Sequence, residues 1–209
     1  DPGSRRAGRA PGSVRLIAVS KVQPLDRVEH VLEQGHRLFG ENRVQEALAK
    51  ISLCPGHLHW HFIGHLQRNK VKFVERAHAS IDTVDSARLA EAISARNSES
   101  EQPVELLIQV NVGREPQKSG CLPEDVPALV AAVRALPGVD LRGLMTVAPH
   151  FDDPMDARPV FAELRALAER QGLPELSMGM THDLEAAILE GATMVRLGTA
   201  LFGPRPPKP

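Results

Sequence analysis

Short apolar runs alternate with amphipathic segments along almost the whole chain, and no other feature constrains its fold so strongly. The runs are Arg15–Ser20, Arg37–Glu41, His59–Gly64, Ser80–Val84, Val104–Asn111, Leu141–Val147, Leu176–Met180 and Met194–Leu197. Their lengths and β-branched content suit buried strands. Between them lie segments with helical spacing. The first is opened by Pro24 and closed near Gly35, and the second runs from about Asn42 to Ile51. A basic one covers Arg68–Ala77, and Ser86 caps the next, which ends at Asn97. The last three cover Pro123 to Leu136, about Met155 to Gly172, and His182–Gly191. Strands and helices in strict alternation imply parallel βαβ units. Eight units is the number that closes a (β/α)8 TIM barrel. An open doubly wound sheet competes, but no GxGxxG follows the first strand. The expected architecture is one α/β barrel over residues 14–203, with a flexible leader over 1–13 and a Pro-rich tail over 204–209.

The 209 residues can bury one core, and 42% hydrophobic with 24% charged residues is an ordinary globular composition. A formal net charge of −1 gives no reason to expect nucleic acid or an anionic membrane as partner. No apolar run approaches the roughly 20 residues that span a bilayer, and none near the N-terminus suits a signal peptide. Cys54 and Cys121 form no CxxC pair, so a reducing cytoplasm is expected, with neither a disulfide framework nor a thiolate metal site. The chain contains no tyrosine.

In a barrel of this kind chemistry sits where strands end and loops begin. Lys21 follows Ser20 directly at the end of the first strand, placing an amine at the barrel mouth. The small apolar residues before it would desolvate the amine and lower its pKa, as a Schiff-base lysine requires. Asn42, at the end of the second strand, is a good helix cap, and its amide can also donate to a ligand from the same place. His57, His59 and His61 alternate along one strand face, which invites a zinc reading. No matching carboxylate is evident, however, and His61 is better read as a satisfied barrel-lining histidine. His65, at the strand end, is the better pocket-lining candidate. Barrels commonly bind phosphate with the loops after strands seven and eight. Ser177, Met178, Gly179 and Thr181 occupy the first of these places, and Gly198 and Thr199 the second. An amine facing a phosphate cradle points to a phosphorylated aldehyde, and pyridoxal 5′-phosphate (PLP) fits that description. Arg196 lies beside the cradle. A guanidinium does not give up its proton, so it would donate to an unprotonated ring nitrogen and weaken the ring as an electron sink.

Five spaced motifs carry a resemblance. They are Ile17-Ala18-Val19-Ser20-Lys21, Phe39-Gly40-Glu41-Asn42, Trp60 to Gln67, Leu176 to Met180, and Met194 to Gly203. Together they are similar to the PLP homeostasis proteins, also called the YggS or proline-synthetase co-transcribed family, from about Val14 to Gly203. The resemblance implies a barrel like the alanine racemase N-terminal domain, with PLP held as a Schiff base on Lys21. It further implies a ring-nitrogen contact at Arg196, phosphate contacts around Ser177, Gly198 and Thr199, and Asn42 lining the cofactor. Thr181-His182-Asp183 departs from the usual serine followed by small or acidic residues, but the hydroxyl is kept.

The expected function is that of a non-catalytic PLP carrier and regulator of intracellular PLP supply, affecting amino-acid and keto-acid balance. Its partners would be PLP and PLP-dependent apo-enzymes, and a monomer is expected. A PLP-dependent amino-acid racemase is the alternative. Racemisation needs a second base opposite the lysine. With no tyrosine here, a histidine or cysteine, such as His65 or Cys121, would have to substitute. A cofactor-free Schiff-base aldolase is a third reading, and nothing in the sequence supplies its proton-shuttling carboxylate.

Overall fold

In the computed structural model, residues 8–54, 56–74 and 80–203 are described. Eight parallel strands close into a barrel in sequential order, the eighth pairing with the first. The strands are β1 (Arg15–Val19), β2 (Leu38–Glu41), β3 (His59–Phe62), β4 (Ser80–Val84), β5 (Val104–Gln109), β6 (Val139–Met145), β7 (Glu175–Ser177) and β8 (Met194–Leu197). The surrounding helices are α1 (Leu25–Glu33), α2 (Val44–Leu53), α3 (Val71–Val74), α4 (Ala87–Asn97), α5 (Val126–Arg134), α6 (Arg158–Arg170), α7 (Leu184–Leu189) and α8 (Thr199–Phe202). The expected barrel is therefore present and the open sheet is excluded.

Local chemistry sets the element ends. Pro24, with φ −68°, occupies the N-cap of α1, where the missing N–H costs nothing. Gly35, at φ +88°, ends the same helix and returns its N–H to Leu32 O. β7 is shorter than the apolar run Leu176–Met180, because Gly179 turns the chain at φ +93°. The basic segment after β3 winds only a 3-10 turn over Arg68–Lys70 before the single turn of α3. Residues 75–77 of that expected helix, residues 1–7 of the leader and the 204–209 tail lie outside the described residues. From residues 8–13, Arg9 reaches back and donates to Ala192 O at 2.6 Å.

Period-two alternation divides the strand side chains between two compartments. Outward, they pack with the helices into large clusters such as Ala18, Val28, Phe39, Trp60 and Phe202. Inward, Ile17, Leu107, Met145 and Met194 fill the barrel. The interior also holds charge. His61 Nδ1 meets both oxygens of Asp82, at 2.9 and 3.0 Å, and both residues are buried. Ser80 Oγ donates to the same carboxylate. Burial alone would lower the His61 imidazole, but the charge and hydrogen bond of Asp82 overcome it and hold His61 above its ordinary value.

A histidine whose pKa rises on folding favours the folded state while it is protonated. The stability from His61 and Asp82 is fully present below the unfolded value of about 6.5 and is lost as pH rises through the raised folded value. In denaturant unfolding across that window, the advantage of the wild type over His61→Gln is expected to shrink as pH rises. An advantage independent of pH would contradict this.

Candidate functional site

The β1–β8 register pairs Ile17 with Arg196 and Ala18 with Leu197. It therefore carries Lys21 and the residues after Leu197 to one arc of the barrel rim. They line a cavity of about 430 Å³ at the C-terminal ends of the strands. Its walls include Val19, Lys21 and Gln23 from the β1 end, Met145 and Val147 from the β6 end, and Met180, Thr181 and His182 from the β7–α7 loop. Arg196, Gly198 and Thr199 complete it from β8 and the start of α8.

Arg196 is 4% exposed, and its guanidinium is braced from behind. Nη1 donates to Ser177 Oγ at 2.9 Å and Nη2 to Thr146 O at 2.8 Å. Burial pulls its pKa down, and the carboxylates of Asp82 and Asp183 oppose that pull. At neutral pH the group remains a cation with its donors fixed. Asp183 also receives the Met180 N–H at 2.7 Å, which fixes the entry to the β7–α7 loop.

Of the residues singled out from the sequence, Lys21, Thr181, Arg196, Gly198 and Thr199 line this one cavity. Ser177, Met178 and Gly179 stand behind it. Ser177 orients Arg196, Met178 belongs to the outer core, and the carbonyl of Gly179 accepts from Arg196 N at 3.0 Å. A Cβ on Gly179 would come within 2.5 Å of the Ala187 Cβ, so the turn admits no side chain. Asn42 does not cap α2, whose N-cap is Arg43. Its side-chain Oδ1 is buried without a hydrogen-bond partner among the described residues, and its backbone lies so close to Gly64 that a Cβ there would meet Asn42 O at 2.1 Å. His65 lines a smaller neighbouring cavity of about 180 Å³ that shares Ile63, Met145 and Val147 with the first. Its ring faces Asp85 at 3.8 Å. Among the described residues no group of three or more His, Cys, Asp or Glu could hold a metal.

The sequence reading missed Gln23, His182 and the apolar lining. The period of β1 that makes Lys21 face inward also points to Val19, and Met145 and Val147 follow the same rule on β6. Nothing local marks His182. It joins the site through a hydrogen bond between its Nε2 and Phe151 O at 2.9 Å and a ring contact with His150.

The chain matches the family model for the alanine racemase N-terminal domain over residues 4–206. It is 45% identical to the pyridoxal phosphate homeostasis protein of Pseudomonas aeruginosa over 97% of this chain and 89% of that protein. With the protein of the same name from Aquifex aeolicus it shares 43% identity over 96% of this chain and 91% of that one. Among solved structures, PipY of Synechococcus elongatus with PLP bound superimposes with a TM-score of 0.85 at 38% identity, over 97% of this chain and 98% of that one. On fold, site geometry and sequence together, the chain belongs to the alanine racemase N-terminal domain family, among the pyridoxal phosphate homeostasis proteins.

Proposed function

We propose that this chain binds PLP at the mouth of the barrel, covalently through Lys21, and serves as a carrier and regulator of PLP supply. The observation that carries the reading is a single cavity holding an amine on one wall and a fixed, non-titrating cation on another. Its volume of about 430 Å³ suits a small phosphorylated ring. The amine of Lys21 would hold the aldehyde carbon, and Arg196 would donate to the ring nitrogen. Thr181, Gly198 and Thr199 would receive the phosphate, with Ser177, Met178 and Gly179 shaping the wall behind and Asn42 near the rim. When bound, the cofactor would supply an aldehyde carbon for the Lys21 amine and a conjugated ring able to act as an electron sink. Arg196 would donate to that ring without protonating it, which would keep its electron-withdrawing power low. The relatives named as PLP homeostasis proteins support the assignment, as does the relative solved with PLP.

Neither of the second bases expected from the sequence suits a racemase. Burial pushes the Cys121 thiol up to about 12, so it holds its proton at neutral pH. His65 is turned to Asp85 and lines the adjoining cavity, outside the one that holds Lys21. We further read residues 14–203 as the functional unit, flanked by the 1–13 leader and the 204–209 tail. It would act as a cytoplasmic monomer that hands PLP to apo-enzymes.

Three measurements check this reading. Wild-type protein mixed with PLP is expected to gain a visible absorbance band, and borohydride followed by mass spectrometry should place the adduct on Lys21. Lys21→Ala should lose both, and an adduct elsewhere would refute the assignment. Arg196→Leu strands Ser177 Oγ and Thr146 O in the interior, so a stability loss of about 2–5 kcal/mol is expected in denaturant unfolding. Finally, PLP should pass from the loaded protein to an apo-enzyme in the presence of a scavenger of free PLP. Inversion of an amino-acid enantiomer at enzyme-like rates would overturn the carrier reading.

A further inference from the structure

Behind Lys21, on the side of the barrel wall away from the cavity, lies a charged corner with no part in the site described so far. Lys50 stands on α2, yet its side chain is only 9% exposed, an unusual place for a lysine. It donates to three acceptors: Ser20 O, Glu41 Oε1 at 2.7 Å and Glu46 Oε1 at 2.8 Å. An ammonium has three N–H groups, so this pattern saturates it. Ser20 Oγ donates to Glu41 Oε1 as well, at 2.6 Å. Glu46, one helical turn before Lys50, receives the backbone N–H of Val22. Both residues flanking Lys21 are thus tied to α2 through two side chains on one helix face.

Val22 gives this arrangement a purpose beyond packing. Its φ is +62°, a left-handed conformation that a β-branched residue rarely adopts. Such backbone persists only where its surroundings over-determine it. Here the turn is closed by the Gln23 N–H donating to Ser20 O at 3.0 Å and flanked by the ties to α2 on both sides of Lys21, which lines the cavity. Glu41 is fully buried, and its Oε2 has no partner among the described residues. Burial raises its pKa, against the pull of the hydrogen bonds from Lys50 and Ser20. A carboxylate kept in so dry a place without full pairing fits a corner built to hold a geometry.

We propose that Lys50 and Glu46 are positioning residues that clamp the Ser20–Lys21–Val22 turn and set the angle at which the Lys21 amine meets an incoming aldehyde. The inference rests on the assignment of Lys21 as the PLP-binding residue. The clamp acts on the lysine's approach and leaves the phosphate end of the cavity untouched.

The test separates those two ends. Lys50→Met and Glu46→Ala are compared with wild type in two assays. One is the rate of covalent PLP capture at Lys21, followed by absorbance and borohydride labelling. The other is the affinity for pyridoxine 5′-phosphate, which lacks the aldehyde. Capture is expected to slow about tenfold to a hundredfold, the effect of misaligning a reacting group by roughly 1 Å. Affinity for the analogue should be unchanged. Glycine adopts positive φ without strain, so adding Val22→Gly to either variant should recover most of the lost rate. In the ligand-free protein, Glu46→Ala should also speed hydrogen exchange at the Val22 amide. If Lys50→Met does not fold, Glu46→Ala carries the test, because that side chain is 24% exposed. Wild-type capture rates in the variants would overturn the proposal, as would equal losses in both assays or no recovery with Val22→Gly. A wild-type protein that is not labelled at Lys21 would instead refute the functional assignment beneath it.

Discussion

Everything at the mouth of this barrel depends on β8 returning to pair with β1. That one parallel ladder, from Arg15 with Met194 to Ala18 with Leu197, joins residues about 180 positions apart and closes the sheet without an edge. It also fixes which residues share a rim. A shift of one residue would turn every side chain of β8 to the other face. Arg196 would then lie among the helices, where neither Ser177 nor Thr146 could meet it. Closure and site assembly are the same event in this chain.

The interior shows how a small barrel tolerates charge. Two cationic or titrating groups, Arg196 and His61, lie buried beside the carboxylate of Asp82. A buried ion is stable only where its hydrogen bonds are met, and here each is held by atoms from neighbouring strands. The polar contacts cross the barrel between β3 and β4 and among β6, β7 and β8. They add direction to an apolar filling that would otherwise allow small rotations, and Arg196 is fixed as a result.

Much of this was legible in the sequence, because alternation, period and rim position are local properties. The eight apolar runs all became strands, and Lys21, Thr181, Arg196, Gly198 and Thr199 converge as their places at strand ends imply. Other features are not local. A Cβ on Gly179 would meet the Ala187 Cβ at 2.5 Å, and the Ser177 hydroxyl receives the Arg196 guanidinium, contacts set by how β7 packs against α7 and β8. Lys50 and Glu46 look in sequence like an ordinary i,i+4 pair on a solvated helix face. Their burial depends on how α2 packs over the β1–β2 corner, a property of tertiary structure that no local pattern encodes.

Partial burial of the two cysteines has a chemical consequence of its own. An aldehyde is attacked by thiolates as well as by amines, so any ionised cysteine would compete with Lys21 for the same carbon. With the Cys121 thiol pushed up to about 12, it keeps its proton at neutral pH. Burial also raises Cys54, and neither residue lines the Lys21 cavity. On the proposed reading, both thiols thus stand protonated and apart from the cavity in which Lys21 would take the aldehyde.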